Sequence, residues 1–350
     1  MIKIYDLHGN ELVSWAKGQY NGYTHTKEDP GGMISCAFNV PEEYTLPFRW
    51  ADVFSTVKVW HEANLIFQGF IFALERYWDK DNSGIKVDCV GEVARLNWAY
   101  TVSDLSAEKT STYINAHILP HAQVYGYIKT GKVSTDDYTI PGVVEAGECA
   151  LLRDMLDRAY AYNANAFTWY VDGDSFYFVP SDTQLTYQTS IKYCTGSLRQ
   201  DLADFANALA YTYRDLAGLA TLALLADSDT VYPTKYRRES FENNMTAAQA
   251  LQQATESLNN SKVLGSVGTI KINRVWRFGK GEIHRSELEP GKIIRILGLT
   301  PGKVNPEAAF VANDVDAFTI KSVTYNEDDQ SADIAAGRLP QTLTNVVRAR

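Results

Sequence analysis

Residue types able to do chemistry are spread thinly along this 350-residue chain. His117 and His121 stand four apart, a spacing that on one helical face could hold zinc. Pro120 between them disfavours a helix, and no glutamate follows either histidine as the hydrolytic motif needs. Asp79, Asp81, Ser83 and Gly84 match the opening of a calcium loop, but the position that should supply the bidentate carboxylate is Val90. A hairpin turn explains the segment better. Asp172 and Asp174 could form a metal-binding carboxylate pair, but turn chemistry explains both residues without function. Cys36, Cys89, Cys149 and Cys194 are far apart, whereas zinc and redox motifs pair cysteines two to four residues apart, so all four read as buried thiols. Asn244-Met245-Thr246 is formally a glycosylation sequon and reads as the lead-in to a helix cap. The densest basic cluster is Lys235, Arg237 and Arg238, mixed with Tyr236 and Glu239. It fits either a contact to phosphate or to a neighbouring subunit's carboxylate, or a solvated loop. There is no nucleophile elbow, phosphate loop or dinucleotide fingerprint, and Gly279-Lys280-Gly281 is too short to carry meaning. No catalytic constellation, metal site or cofactor is expected, which favours an assembly component over an enzyme.

The composition agrees. With 45% apolar and 21% charged residues the chain is an ordinary globular protein, of a length that suggests two or three domains. Its formal charge of -9, with Lys and Arg thinly scattered, argues against a reader of specific DNA sequences, which would carry a basic face. The N-terminal stretch lacks a basic segment followed by an apolar one, so no secretory signal is expected and synthesis falls in a reducing compartment. The longest apolar run, Leu216 to Ala226, is well short of the roughly 20 residues that span a bilayer. The 21 Tyr, 14 Phe and 7 Trp lie in short alternating runs, as half-buried strands require.

Those runs organise the chain. Met33–Val40 alternates through Ile34, Cys36, Phe38 and Val40; Thr56–Trp60 and Leu65–Leu74 flank a turn at 61–64; and Ile85–Val90 alternates again. Short strands at this spacing predict an antiparallel barrel or sandwich. Leu151, Leu152, Met155, Leu156, Ala159 and Tyr160 predict an amphipathic helix, followed by a hairpin of Phe167–Val171 and Ser175–Val179 about Asp172-Gly173-Asp174. Asn207–Arg214 alternates as a strand, and Leu219–Ala226 fits either its return or a helix. Thr246-Ala247-Ala248-Gln249 is a capping box, after which Ala247, Ala250, Leu251, Ala254 and Leu258 share a helical face. Lys292–Leu297, Phe318–Tyr325 and Ala332–Ala336 return to strands and imply a second β-domain.

The two β-regions echo one another. Phe70–Tyr77 and Phe318–Tyr325 carry an aromatic at each end with equal separation, and each enters an acidic turn, 78–83 or 326–331. Each then finishes in a short strand closed by glycine, at Gly91 and Gly337, and 57–59 corresponds loosely to 293–296 upstream. The pattern fits either a domain duplication or the ordinary likeness of unrelated antiparallel hairpins, since it covers only two strands and a turn.

Several segments, in order, carry a family resemblance. Phe67-Gln68-Gly69-Phe70-Ile71 is similar to an F-x-G-x-I strand, and Asn207–Asp215 to an N-x-I-x-V-x-Y strand. Asp227–Val231 with Lys235-Tyr236-Arg237-Arg238 resembles a D-x-x-S-I-x-x-Y-G-x-R segment, with Arg237 where the family has glycine. The Ala-rich helix from Thr246, then Glu289–Ile296 and Phe318–Val323, follow in the family order. The chain thereby resembles the tail hub proteins of tailed bacteriophages, the minor tail protein or baseplate hub at the distal end of the tail tube. The resemblance implies a mainly β fold with α+β insertions: two tube-like antiparallel β-barrels plus smaller α+β domains. The division expected is a first barrel at 1–101, an α+β domain at 102–190, a second, discontinuous barrel at 191–235 and 286–350, and a helix-containing insertion at 236–285.

The same resemblance implies a homotrimer in the virion tail, made in the host cytoplasm. Its six barrels would match a hexameric tube or distal tail protein above and a threefold tip, fibre or receptor-binding protein below. Tape-measure protein and DNA would pass transiently through a channel whose acidic wall lets phosphates slide. Alternatives are the hub of a bacterial tube-based secretion or contractile injection machine, and a carbohydrate-binding tail-tip module with an exposed aromatic strip in a groove. A tail-associated peptidase or muramidase would need a carboxylate pair or metal cluster that the sequence does not assemble.

Overall fold

The computed structural model describes residues 1–45, 53–78, 82–98, 100–102, 108–124, 128–135, 137, 139, 149–161, 167–182, 184–199, 205–227, 233–241, 246–261, 267–299 and 316–337. The chain is mainly β, with short helical insertions.

Alternating apolar residues build the first β-unit. Strand β1 (Ile2–Tyr5) pairs with β2 (Glu11–Trp15) and, on its other side, with β5 (Thr56–His61). The sheet continues through β6 (Asn64–Trp78), β7 (Ser83–Gly91), β4 (Gly31–Pro41) and β3 (Asn21–Glu28), every pair antiparallel. The inward positions Phe38, Val40, Val57, Val59, Phe67, Ile71, Val87 and Cys89 form one core, and in it Cys36 lies directly opposite Cys89. The β6–β7 hairpin fits its ladder because Gly91 has no side chain. A Cβ there would stand 1.8 Å from the Met33 carbonyl oxygen.

The α+β unit follows. Thr110–Val124 is helical throughout, across Pro120, with a π-turn at Ile114–Ile118. This corrects the expectation of a break: a widened turn before the proline accommodates its missing N–H and its ring. The predicted amphipathic helix forms at Leu152–Ala161 and buries Leu152, Met155 and Leu156. It packs against the hairpin β8 (Phe167–Asp172) and β9 (Ser175–Pro180), whose two-residue turn begins at Gly173 with φ +59°. Trp169, fully buried, carries the Arg153 guanidinium 4.4 Å over its ring.

The second β-unit contains β10 (Leu185–Ser190), β11 (Cys194–Arg199), β12 (Val267–Ile272), β13 (Ile293–Leu297), β14 (Ala317–Asn326) and β15 (Ser331–Gly337). Its ladder runs β11–β12–β15–β14–β13, all antiparallel, and β10 then lies parallel to β13. Ile270, Ile272, Ile294, Ile296, Ile320, Val323 and Ile334 form its core.

Hydrogen bonding redraws two expected boundaries. Leu185–Ser190 belongs to the second β-unit, because it pairs with Ile293–Leu297 and not with the preceding hairpin. Ala208–Arg214 and Ala220–Ala226 do not join that unit. With Tyr236–Ser240 they make a separate three-stranded sheet covered by the helix Ala247–Ser261. Ala220–Ala226 is thus a strand, and the insertion begins before residue 236. The capping box forms as read: the Gln249 backbone N–H donates to Thr246 Oγ1 at 3.2 Å, and the Thr246 N–H donates to Gln249 Oε1 at 2.9 Å. The buried stripe is Ala250, Ala254 and Leu258, while Leu251 is 48% exposed, so the helix is rotated from the face read in sequence.

The internal repeat is present in the ladders. The order β3–β4–β7–β6–β5 in the first unit matches β11–β12–β15–β14–β13 in the second. Both long hairpins carry a bulge, between Ile71 and Ala73 and between Ile320 and Ser322. Matching bulge to bulge sets Leu74 on Val323 and Glu75 on Thr324, one residue away from the aromatic-to-aromatic match of 70–77 on 318–325. The shift matters because one residue inverts the faces of a strand. In the corrected register buried falls on buried, with Val87 on Ile334, Phe38 on Ile270 and Val40 on Ile272.

Candidate functional site

Strand β3 joins the two units. On one side it pairs with β4, and on the other it pairs antiparallel with β14, Thr24 facing Asn326 and Glu28 facing Ser322. The seam is tight enough that Tyr325 packs in the core of the first unit. Thr26 Oγ1 and Thr324 Oγ1 meet across it at 3.3 Å.

Histidines gather at one end of this seam. His61, at the end of β5, stacks on His284 with ring centroids 3.7 Å apart, and Glu287 Oε1 lies 3.5 Å from His61 Nδ1. Tyr325 contacts both His284 and His25. His25 is buried against Tyr23, and burial, followed by the Lys27 and His284 charges, holds it well below the ordinary imidazole value. Burial, aided by the His61 and Arg285 charges, pushes His284 down to about 4. His25 and His284 are therefore neutral at pH 7 within a stacked joint.

At the other end of the seam, Asp29 ties all three large units together. It accepts from Thr168 Oγ1 of the hairpin, and Lys321 Nζ of the second unit lies 3.1 Å from its other oxygen. A cavity of about 380 Å³ opens beside it, lined by Lys27, Met33, Tyr170, Asp172, Gln184 and Lys292 among others. Its walls come from both β-units and the hairpin, so its shape depends on how the units are joined.

The basic cluster is not one patch. Lys235 precedes the strand Tyr236–Ser240, and its backbone N–H donates to Asn207 Oδ1 at 2.7 Å. Arg237 pairs with Glu239 at 3.0 Å, on the side where Glu239 also accepts from Ser257 of the covering helix. Arg238, next along the strand, points to the other face, as does Tyr236. That open face also carries Leu222 and Leu224, 64% and 65% exposed. His117 pairs with Glu108 at 3.2 Å. Asp174 ion-pairs with Lys129 at 2.6 Å. Among the described residues no group of three or more His, Cys, Asp or Glu is arranged to hold a metal ion. Asp79, Asp81, Asn244 and Met245 lie outside the described residues. Of the cysteines, Cys36 and Cys89 are buried as expected, whereas Cys194, on β11, is half-buried; the side chain of Cys149 lies outside the described residues.

Sequence reading missed the histidine joint, since His25, His61 and His284 are far apart in the chain and only strand pairing brings them together. Their one signal was position: His61 at a hairpin turn and His284 just before a second β-region.

No protein-family model matches the chain, and no curated protein matches it. Solved structures do. The 43 kDa tail protein of prophage MuSo2 from Shewanella oneidensis is 13% identical, with 97% of this chain and 98% of that one covered at a TM-score of 0.61. A prophage tail protein from Listeria monocytogenes is 12% identical over 99% and 97% of the two chains, at 0.62. A component of the Escherichia coli type VI secretion system, itself described as structurally similar to T4 bacteriophage tail proteins, is 10% identical over 97% of this chain and 76% of its own, at 0.54. The chain therefore has the fold shared by phage tail proteins and that secretion component.

Proposed function

We propose that this chain is a structural hub of a phage tail, placed where the tail tube meets its tip. The observation that carries the reading is the duplicated β-unit, two copies of one strand order joined edge to edge within a chain. Three such chains supply six β-units, which suits a ring matching a hexameric tube on one side and a threefold tip or fibre on the other. The fold-level likeness to prophage tail proteins supports this reading. The ring would enclose part of the conduit for tape-measure protein and DNA, and the net charge of -9 suits a wall that does not hold phosphates. The strand Tyr236–Ser240, with Lys235, Arg237 and Arg238, would then lie on an insertion outside the ring and contact a neighbouring subunit or tail protein. A second reading, the hub of a secretion or contractile injection machine, is favoured by the likeness to the secretion component. Native mass across a concentration series, with negative-stain images of the same samples, tests both. Trimeric rings with six lobes are expected; a compact monomer at every concentration would overturn the ring. Rings that bind an isolated tail tube but not a secretion tube would decide between the two readings.

A further inference from the structure

The cavity beside Asp29 holds charges that its own walls do not pair. Two of its carboxylates are engaged: Asp29 accepts from Thr168 and meets Lys321, and Asp182 lies 3.5 Å from Lys292 Nζ. Lys27, on β3, is only 6% exposed, and among the described residues its ammonium has no hydrogen-bond acceptor or ion-pair partner. Burial holds it below the ordinary lysine value, and the charges of Glu289, Asp172 and Glu287 oppose that shift without reaching ion-pair distance. A buried ammonium without an acceptor is costly, and the cavity that Lys27 lines opens it to one from outside. At the mouth stand Glu28, Asp172 and Glu289, all exposed and none with an ion-pair partner among the described residues. Tyr170, its ring stacked on Tyr177 at 5.0 Å, adds an aromatic wall. One buried cation and three exposed carboxylates suit a ligand that brings a carboxylate together with a cationic side chain.

We propose that this cavity binds a basic zwitterion of the arginine or lysine class, either free or as the C-terminal residue of a polypeptide. Its carboxylate meets Lys27 at the buried end, and its side-chain cation meets the carboxylates at the mouth with the Tyr170 ring beside it. The volume of about 380 Å³ falls in the range of small-molecule sites, about 300–1,000 Å³. All of the walls come from one chain, so the site does not depend on the ring reading. Because those walls belong to both β-units and the hairpin, a bound ligand braces the junction of the three.

The test is calorimetric titration of the full chain at constant ionic strength with four probes. L-arginine carries every group the site calls for, L-argininamide lacks the carboxylate, L-citrulline lacks the side-chain charge, and N-acetyl-L-arginine imitates a chain end. L-arginine is expected to bind with a Kd below about 1 mM, and L-argininamide and L-citrulline at least tenfold more weakly. N-acetyl-L-arginine binding as well as L-arginine would identify the ligand as a chain end, and binding tenfold more weakly would identify it as the free amino acid. Lys27→Met should remove the preference for L-arginine over L-argininamide. Asp172→Asn with Glu289→Gln, both exposed and therefore safe for folding, should remove the preference for L-arginine over L-citrulline. No binding of L-arginine up to about 10 mM, L-argininamide binding as tightly as L-arginine, or affinity unchanged in the Asp172→Asn, Glu289→Gln variant would overturn the site.

Discussion

Acid should loosen the joint between the two β-units before it unfolds anything else. His284, stacked on His61 and touching Tyr325, is pushed down to about 4, and buried His25 is held low as well. A histidine whose folded value lies below its unfolded one is protonated more readily in the unfolded chain. Its contribution to stability is therefore complete above about 6.5 and is lost as pH falls from there towards about 4. By pH 5 the His284 difference alone amounts to about 2 kcal/mol, at about 1.4 kcal/mol per pH unit below 6.5. The ring is only half buried, so solvent screening reduces this to about 1 kcal/mol. That corresponds to a fall in Tm of about 3 °C for a chain of this size, with His25 adding in the same direction. The measurement is urea or thermal unfolding from pH 7.5 to 5, above the carboxylate range, for the parent and for His284→Asn. Asparagine can accept from the Ser286 N–H as the His284 ring does, but it carries no titrating proton. The variant should show a shallower loss of stability on acidification. An unchanged slope, or a parent that gains stability as pH falls, would refute the account.

Three further outcomes follow from the packing. Gly91→Ala places a methyl group 1.8 Å from the Met33 carbonyl oxygen and should cost more than about 3 kcal/mol in urea unfolding, whereas Gly218→Ala, with nothing within 4 Å, should cost only about 1 kcal/mol for its left-handed backbone. Thr246→Ala removes the acceptor for the Gln249 N–H and should lower stability by about 1 kcal/mol, with loss of helix over 247–261 seen by hydrogen exchange. Cys194 should react with a thiol reagent well before Cys36 and Cys89, as read by peptide mapping, because those two face each other inside the first core; simultaneous labelling in the folded protein would count against the packing described.

What the sequence made legible was local. The turn at Asp172-Gly173-Asp174, the capping box at Thr246 and the alternation of Met33–Val40 each place their own chemistry within a few residues, and each forms as expected. The duplication was legible too, though one residue out of phase, because aromatic residues at hairpin ends attract the eye while the bulges at Phe72 and Lys321 leave no mark in composition. What could not be read was partner choice over long separations. Asn207–Arg214 alternates as convincingly as any strand of the second unit, yet its parallel partner is Tyr236–Ser240, and a helix that follows both in sequence covers it. The candidate site is of this long-range kind throughout. His25, His61 and His284 meet only because β3 lies beside β14. The joint is therefore a consequence of that one seam, and a substitution that shifts the seam's register should change the acid response with it.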